Sequence, residues 1–324
     1  MFRLTKYLIP QLCTGLCVLV LALPLSAADS FPNKPIRLIV PYPAGGATDQ
    51  IARSMQQPMS EFLGQPIVIE NQSGAGGTIG TNAVVQSDPD GYTLAFGNTG
   101  PNAVVSLLRD IPYDVVEDLQ PISTAVILPM ILAVPADSPA TDLKSFMEFA
   151  RNETRGLNYS SVGNGSLSHL TGEYFKNRTG FNMTHIAYRG GAPSMTALAG
   201  GEVDFAFITG LDGFAMREAG RLRYLAVAAP SAVESLPDLP LVSDEVPDFA
   251  SSVWFGILAP SGVPHAVVEK LNAAVAHAAK SPEVRKLEER NVEVRADGPE
   301  AMGQIIADER KLWSEVIREG DIRM

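Results

Sequence analysis

The fold is decided by a short apolar run that leads into a glycine-rich turn and a helical pattern: Ile36-Arg37-Leu38-Ile39-Val40-Pro41-Tyr42-Pro43-Ala44-Gly45-Gly46-Ala47-Thr48. The apolar run predicts a strand. From Ala47 to Leu63, the four-residue spacing of Ile51, Met55 and Met59 is typical of a helix. A glycine turn at a helix N-terminus leaves backbone N–H groups unpaired, and such groups favour an anion. This stretch therefore predicts half of an anion site.

A second glycine-rich turn stands at a matching place 118 residues further on, from Gly45 to Gly163: Gly163-Asn164-Gly165-Ser166-Leu167-Ser168. It also follows an apolar run and opens a helical pattern. Each copy continues with a strand, a Gly-Gly pair and another helix. The repeat predicts two similar lobes that hold a small anion between them.

Strand-like and helical patterns alternate along the chain, which favours an α/β fold with mostly parallel sheets. Residues 131–135 and 257–260 echo each other and predict two crossover strands that leave and rejoin the first lobe. The expected division is a first lobe over 29–130, a second lobe over 131–252, and a return strand with C-terminal helices over 253–324 that pack on the first lobe and complete it. The sheets of the two lobes would then be mixed and joined by these strands.

The first 28 residues, 1–28, predict a secretory signal peptide. Arg3 and Lys6 form a basic start, an apolar stretch runs from Leu16 to Leu25, and Ser26-Ala27-Ala28 allows cleavage after either alanine. An uncleaved membrane anchor is the alternative, but the apolar core is shorter than the ~20 residues that a spanning helix needs. We therefore expect an exported, periplasmic protein.

The cysteine content and the net charge limit the kinds of molecule that the mature chain can bind. Both cysteines, Cys13 and Cys17, lie in the predicted leader, so the mature chain has no disulfide, thiol nucleophile or cysteine-bound metal. The formal net charge of −11 becomes more negative once Arg3 and Lys6 are removed. Such a chain is a poor partner for nucleic acid or an anionic membrane surface. Local backbone dipoles, not bulk charge, must attract an anion.

Sequence motifs for catalysis are missing. The four histidines lack metal-ligand spacing, and the chain has neither a Gly-x-Ser-x-Gly elbow nor a phosphate-binding P-loop. The run Gly74-Ala75-Gly76-Gly77-Thr78-Ile79-Gly80 is close to a dinucleotide fingerprint, but its third glycine falls one place late. We expect no cofactor, no metal and no catalytic residue. An exported enzyme that pairs Asp49 with His169 is the alternative.

The candidate ligand-binding residues follow the strands of both predicted lobes. Gly45-Gly46 allows close approach of the backbone, Thr48 adds a hydroxyl, and Asp49 either accepts from the ligand or caps its helix. Ser166 and Ser168 likewise either donate to the ligand or cap the second helix. Further candidates lie at strand ends or, in one case, inside a strand: Ser73, Asn98, Tyr188, Gly190 and Asp204.

Five motifs stand together in the mature chain: Pro41-Tyr42-Pro43-Ala44-Gly45-Gly46 with Asp49, Ile69-Glu70-Asn71 with Gly74-Ala75-Gly76-Gly77, Asp90-Gly91-Tyr92-Thr93-Leu94, Tyr188-Arg189-Gly190, and Gly200-Gly201-Glu202-Val203-Asp204. Together they resemble the substrate-binding receptors of tripartite tricarboxylate transporters, also called the Bug family. The resemblance covers essentially the whole mature chain.

The resemblance implies a two-lobed, hinge-closing periplasmic receptor, monomeric, that passes a small carboxylate to large and small membrane subunits. It implies ligand contacts from the first motif and, in the opposite lobe, from the second glycine turn and the strand after it. These implied contacts are Pro43, Ala44, Gly45, Gly46, Gly165, Ser166, Ser168 and Tyr188. Tyr42, in the same first motif, is a further candidate ligand-binding residue. The identity of the carboxylate does not follow from the resemblance.

The sequence leaves undecided what two side chains contact and whether the protein serves transport or sensing. Arg189 either pairs with a ligand carboxylate or points to solvent, and His169 either touches the ligand or lies on its helix surface. An orphan sensor that signals to another protein would share the same cleft as a transport receptor. The sequence does not separate these two roles.

Overall fold

The structure, a computed structural model, describes residues 31–320 and residue 322, so the predicted leader over 1–28 lies outside the described residues. The described residues form ten strands: β1 (Ile36–Val40), β2 (Ile67–Asn71), β3 (Thr93–Asn98), β4 (Leu119–Pro135), β5 (Leu157–Ser161), β6 (Met183–Ala187), β7 (Phe205–Thr209), β8 (Leu222–Ala228), β9 (Ser252–Pro260) and β10 (Glu293–Asp297).

Nine α-helices accompany these strands in the described part of the chain: α1 (Ala47–Leu63), α2 (Thr78–Val85), α3 (Leu143–Asn152), α4 (Leu167–Thr179), α5 (Gly191–Ala199), α6 (Gly210–Glu218), α7 (His265–Ala278), α8 (Pro282–Arg285) and α9 (Pro299–Gly320). None of these helices combines the length and the apolar character that crossing a bilayer requires.

The strands form a two-lobed mixed sheet. Neighbouring strands follow the order β2-β1-β3-β9-β4-β7-β5-β6, and β8 and β10 also pair with β4. β1 is parallel to β2 and β3, and β5 is parallel to β6 and β7. All antiparallel pairs among these strands involve β4 or β9. The predicted fold class is confirmed, but antiparallel pairing takes a larger share than expected, because both crossover strands run against their neighbours.

β4 is the strand that both lobes share. Its residues 119–129 pair with β9, and its residues 130–135 pair with β8. The predicted crossover segment 131–135 is therefore the second half of a 17-residue strand. The other predicted segment, 257–260, is the end of β9. β4 is therefore a single strand that belongs to both halves of the sheet.

Both lobes repeat one strand–turn–helix unit. β1 leads into α1, and β5 leads into α4. Gly45 and Gly165 each stand two residues before the helix, with φ of 92° and 77°, values that an L side chain rarely adopts. The structural offset from Gly45 to Gly165 is thus 120 residues, not the 118 that pairs Gly45 with Gly163. Gly163 and Gly165 both have a positive φ in the turn after β5, and Gly165 is the one that stands two residues before the helix, as Gly45 does.

The structure adds three elements that sequence patterns do not indicate: α6, β10 and residues 119–129 of β4. α6 begins at Gly210 and contains Gly213, and glycine weakens helix propensity. β10 carries charged, partly exposed side chains where a half-buried strand usually alternates apolar and polar residues. The two strand segments form because they pair with strands that are distant in sequence, and α6 forms because it packs against the second lobe.

α9 packs across both lobes. Its Arg310 donates to the Ala103 carbonyl and to Ser106 Oγ, both 2.8 Å away, in the first lobe. Its Trp313 lies against Tyr174 of α4 in the second lobe, with ring centroids 6.1 Å apart. The sequence predicts packing on the first lobe, and the structure shows contact with the second lobe as well.

We expect Trp313→Ala to lower the free energy of unfolding by about 3–5 kcal/mol, because a cavity replaces a side chain that is only 1% exposed. The indole N–H also donates to Glu309 Oε2 at 2.7 Å, a bond that the variant loses. Urea unfolding followed by circular dichroism measures the change. Leu312→Ala is the matched control, since Leu312 is 43% exposed and should cost under about 1 kcal/mol. Equal losses in the two variants would contradict this packing.

Candidate functional site

A small cavity of ≈ 60 Å³ lies where the two lobes meet, and we call it the inner cavity. It holds roughly four water-sized spheres at about 15 Å³ each. Seven predicted site residues line it: Tyr42, Pro43, Gly46, Thr48, Asn98, Ser166 and Ser168. The first residues of α1, α4 and α5 line it too, so three helix N-termini face one space. The sequence predicts two of these helix N-termini, those of α1 and α4.

The first helix tip is built by the turn before α1. Gly45 takes the left-handed conformation, whereas Gly46 has φ −78° and ψ 173°, an extended backbone that any residue adopts. Gly46 matters for a different reason: a Cβ there would lie 3.6 Å from the Gly191 amide of the opposite lobe. The turn thus needs a glycine at Gly45, while Gly46 allows an ordinary close contact across the cleft.

Asp49 supports this turn. Its carboxylate accepts from the Gly45 amide at 3.0 Å, from Arg53 Nε at 2.9 Å and from Asn71 Nδ2 at 3.0 Å. Burial by itself raises the pKa of the Asp49 carboxyl, but these three donors together hold that pKa below its ordinary value. Asp49 does not line the inner cavity. The structure therefore favours the supporting role over direct ligand contact.

Ser166 and Ser168 are engaged in shaping the second tip. Ser166 Oγ accepts from the His169 amide at 3.4 Å as the cap of α4, and it donates to the Gly163 carbonyl at 2.6 Å. Ser168 Oγ accepts from the Val162 amide at 3.1 Å. The capping alternative is therefore observed for Ser166, and both side chains still line the inner cavity.

Backbone amides in the first turns of these helices remain without acceptors. Within the described residues, no hydrogen bond engages the amides of Thr48 in α1, Leu167 in α4 or Gly191 in α5. All three residues line the inner cavity. Because the positive end of each helix dipole lies there, the arrangement suits an anionic group. The described lining contains no lysine, arginine or histidine.

The remaining lining was not found from sequence. It consists of residues of β4, β7 and β9, of Val162 after β5, and of residues at or near the starts of α1, α4, α5 and α6: Ala47, Met130, Val162, Leu167, Gly191, Ser194, Met195, Phe207, Ile208, Thr209, Asp212, Val253 and Phe255. Alternation along a strand marks such residues as buried but does not say that they face a cavity. Asp212 gives no local signal at all, because its helix was not predicted.

Asn98 and Tyr42 close two sides of the cavity. Asn98 Nδ2 donates to Thr48 Oγ1 at 3.4 Å, and Asn98 Oδ1 accepts from the Gly100 amide at 3.2 Å. Tyr42 donates its hydroxyl to the Gly76 carbonyl at 3.1 Å. Burial raises the pKa of Tyr42, so the phenol stays a neutral donor. The Tyr42 side chain also lines a second space.

This second space, the outer cavity, has a volume of ≈ 510 Å³ and shares Tyr42, Pro43 and Val162 with the inner one. Three predicted site residues line only the outer cavity: Ser73, Tyr188 and Gly190. Tyr188 donates its hydroxyl to Glu202 Oε2 at 3.3 Å. Arg189 is exposed and lines the same space.

Five predicted site residues line neither cavity: Ala44, Gly45, Asp49, Gly165 and Asp204. Gly165 donates its amide to His169 Nδ1 at 3.2 Å. Asp204 accepts from Arg155 Nη2 at 2.6 Å and from the Asn158 amide at 2.7 Å. These contacts give Gly165 and Asp204 structural partners within the second lobe.

Two stacked histidines, the buried His169 and the half-buried His185, lie beneath the second tip. The His169 and His185 rings stack with centroids 3.8 Å apart, and His185 Nε2 is 2.6 Å from Ser161 Oγ. Burial, with the His169 ring as a second cause, lowers the pKa of His185 to about 3. Burial also lowers the pKa of His169. Both rings are therefore neutral near pH 7, and His169 Nδ1 can accept from the turn.

The geometry offers little to the enzyme alternative. Asp49 is engaged with Arg53, His169 is engaged with Gly165, and no hydrogen bond joins Asp49 to His169. Within the part of the chain that the structure describes, no group of three or more histidine, cysteine, aspartate or glutamate side chains is placed to hold a metal ion.

A two-lobed α/β sheet with helix N-termini facing a cavity between the lobes defines the class of periplasmic solute-binding proteins. Residues 51–322 match the family model described as tripartite tricarboxylate transporter family receptor, and the chain belongs to this family. Protein BugT of Bordetella pertussis is 34% identical over 304 residues, which cover 92% of this chain and 93% of BugT. The predicted family is confirmed.

Two solved structures are similar over nearly their whole length. An R. palustris protein solved with adipate is 33% identical, with a TM-score of 0.87 over 90% of this chain and 99% of that one. MatC from Rhodopseudomonas palustris, with bound malate, is 30% identical, with a TM-score of 0.84 over 89% of this chain and 100% of MatC.

We expect the stacked histidine pair to make the stability of the protein sensitive to acid. Because the folded state lowers the pKa of His185, the unfolded chain binds more protons between pH ~6.5 and the folded pKa of about 3. Stability is thus lost as the pH falls below ~6.5, by up to about 1.4 kcal/mol per pH unit for His185. Urea unfolding at pH 7 and pH 5 measures this loss.

His185→Gln should lose less stability between pH 7 and pH 5 than the wild type does. The control is His265→Gln, at a histidine whose side chain is 85% exposed, which should keep the wild-type pH dependence. An unchanged pH dependence in His185→Gln would show that this histidine is not buried as a neutral ring.

Proposed function

We propose that this protein is a periplasmic receptor that binds a small organic carboxylate between its lobes and delivers it to the membrane subunits of a tripartite tricarboxylate-type transporter. One observation carries the proposal: unpaired first-turn amides of α1, α4 and α5 converge on the inner cavity. The carboxylate would accept from Thr48, Leu167 and Gly191. Family membership and the relatives with adipate and malate support the same ligand class.

The free energy that the available hydrogen bonds can contribute is close to that of micromolar binding. Micromolar affinity corresponds to about −8 kcal/mol. Hydrogen bonds to a charged group contribute ~1.5–3 kcal/mol each, and three of them approach that value before ordering costs are subtracted. The apolar walls, which include Phe207 and Phe255, would exclude water and strengthen these bonds. No catalytic group is needed, so we propose binding without turnover.

The site residues divide into three groups in this proposal. Direct contacts come from the inner cavity: Tyr42, Pro43, Gly46, Thr48, Asn98, Ser166 and Ser168. Entry of the ligand, or contact with its far end, would involve Ser73, Tyr188 and Gly190 of the outer cavity. Support of the turns and strands is assigned to Ala44, Gly45, Asp49, Gly165 and Asp204. We retain the division into 29–130, 131–252 and 253–324, since the pairing partner of β4 changes between Pro129 and Met130.

A thermal-shift screen of carboxylates tests binding. A ligand at about a hundred times its dissociation constant adds ~2.7 kcal/mol to stability, which a melting curve resolves easily. Recovery of the unchanged acid after incubation would support a receptor, and a converted acid would support an enzyme. Loss of uptake of the bound acid by cells that lack this gene would support transport over sensing.

Closure of the lobes should depend on Gly76. This residue has φ 65°, and a Cβ on it would overlap the carbonyl oxygen of Asn164 across the cleft. We expect Gly76→Ala to keep the fold but to weaken binding of any acid found in the screen at least tenfold, because the lobes cannot approach. Isothermal titration calorimetry measures the affinity.

Gly64→Ala is the matched control, because Gly64 has φ 67° and open space around it. Both variants carry the same backbone strain, of about 1 kcal/mol, but only one carries a cross-cleft overlap. Gly64→Ala should therefore bind like the wild type. If Gly76→Ala also binds like the wild type, ligand binding does not require this closed contact.

A further inference from the structure

A carboxylate of the protein itself lies in the inner cavity. Asp212 belongs to α6 in the second lobe, yet its Oδ1 accepts from the Ala47 amide of α1 at 2.8 Å, across the cleft. Its Oδ2 accepts from Thr209 Oγ1 at 2.8 Å. A Cβ on Gly191 would overlap Oδ1, so a glycine there leaves room for the carboxylate. Asp212 is thus seated between the starts of three helices.

No cation of the cavity neutralises this carboxylate. Asp212 is the one acidic residue of the described lining, which has no basic residue, and Asp212 forms no ion pair among the described residues. Among the described residues, the hydrogen-bond donors to the Asp212 carboxylate are the Ala47 amide and the Thr209 hydroxyl. Burial accordingly raises the pKa of Asp212. An ionised carboxylate has about four acceptor positions, so roughly two remain unused.

A bound acid would bring a second negative charge into this small space. The Ala47 amide is already taken, which leaves the amides of Thr48, Leu167 and Gly191 for the ligand carboxylate. Two carboxylates in a low-dielectric cavity repel each other unless a donor lies between them. An ammonium or hydroxyl on the carbon next to the ligand carboxylate would supply that donor and use the free positions of Asp212.

We propose that Asp212 is a specificity-determining residue, which makes the inner cavity prefer organic acids with an ammonium or hydroxyl group beside the carboxylate over unsubstituted acids of the same length. This inference rests on the proposed function, carboxylate binding between the lobes. An ammonium donor ranks above a hydroxyl donor, because it also neutralises the Asp212 charge. Asp212 selects among ligands, while the helix amides hold the carboxylate.

Calorimetric titration with matched acids tests the proposal. The probes are propionate, succinate and adipate, each compared with its 2-hydroxy and 2-amino derivative at one pH and salt concentration. At the chain length that binds, we expect the 2-amino acid to bind at least tenfold more tightly than the unsubstituted acid, with the 2-hydroxy acid between them. Asp212→Asn should remove most of this preference and improve binding of the unsubstituted acid.

Glu218→Gln is the matched control. Glu218 is an exposed acid at the end of the same helix, so the variant removes one negative charge without touching the cavity. It should keep the wild-type ranking. Circular dichroism and the melting temperature check that each variant is folded, and the wild-type ranking tests the proposal even if Asp212→Asn does not fold.

The outcomes separate this inference from the proposed function. Equal binding of the three acids of one length by the wild type would overturn the role of Asp212 and leave carboxylate binding in place. A preference that survives in Asp212→Asn, or that is lost equally in Glu218→Gln, would overturn it as well. If no acid binds, neither these nine nor any carboxylate of the thermal-shift screen, the proposed function itself fails, and the inference fails with it.

Discussion

Backbone amides that have no acceptor at the starts of three helices are the feature on which the inner cavity depends. They meet because β1 and β5 both end at the cleft, and a left-handed glycine in each turn directs the following helix into it. A chain with a net charge of −11 attracts anions poorly by its overall field. The positive ends of helix dipoles act over a few ångströms and are little affected by that charge. The three helix N-termini therefore provide a local positive potential in spite of the negative net charge of the chain.

The same region is where the lobes touch. The Ala47 amide meets Asp212, Gly76 lies against Asn164, and Gly46 lies near Gly191. Two of these contacts bring backbone against backbone, which is why small residues stand there. β4 and α9 extend through both lobes, so the cleft forms between bodies that share a strand and a helix. The contacts between the lobes thus lie beside the inner cavity.

The sequence predicted several of the residues that line the inner cavity, but not the contacts that each of them makes. Ser166 caps its helix and also lines the inner cavity, and its donation to a ligand stays a prediction. Asp49 supports the first turn instead of facing the cavity, because Arg53, one helical turn further on, is close enough to pair with it. Phe207 and Phe255 carry the alternation of buried strands, which does not distinguish a cavity wall from solid core. Sequence patterns report burial and capping better than they report which way a side chain faces.

The sequence by itself determined the local units: the strand, glycine turn and helix from Ile36 to Leu63, its repeat from Leu157 to Thr179, and membership of a receptor family. Turn chemistry and helical spacing act over about twenty residues, so they can be read from one stretch of chain. Only the tertiary structure decided that α5 and α6 join the same cavity and that Asp212 reaches Ala47. These two residues are 165 positions apart, and no local preference records a hydrogen bond that exists only once both lobes have folded and met.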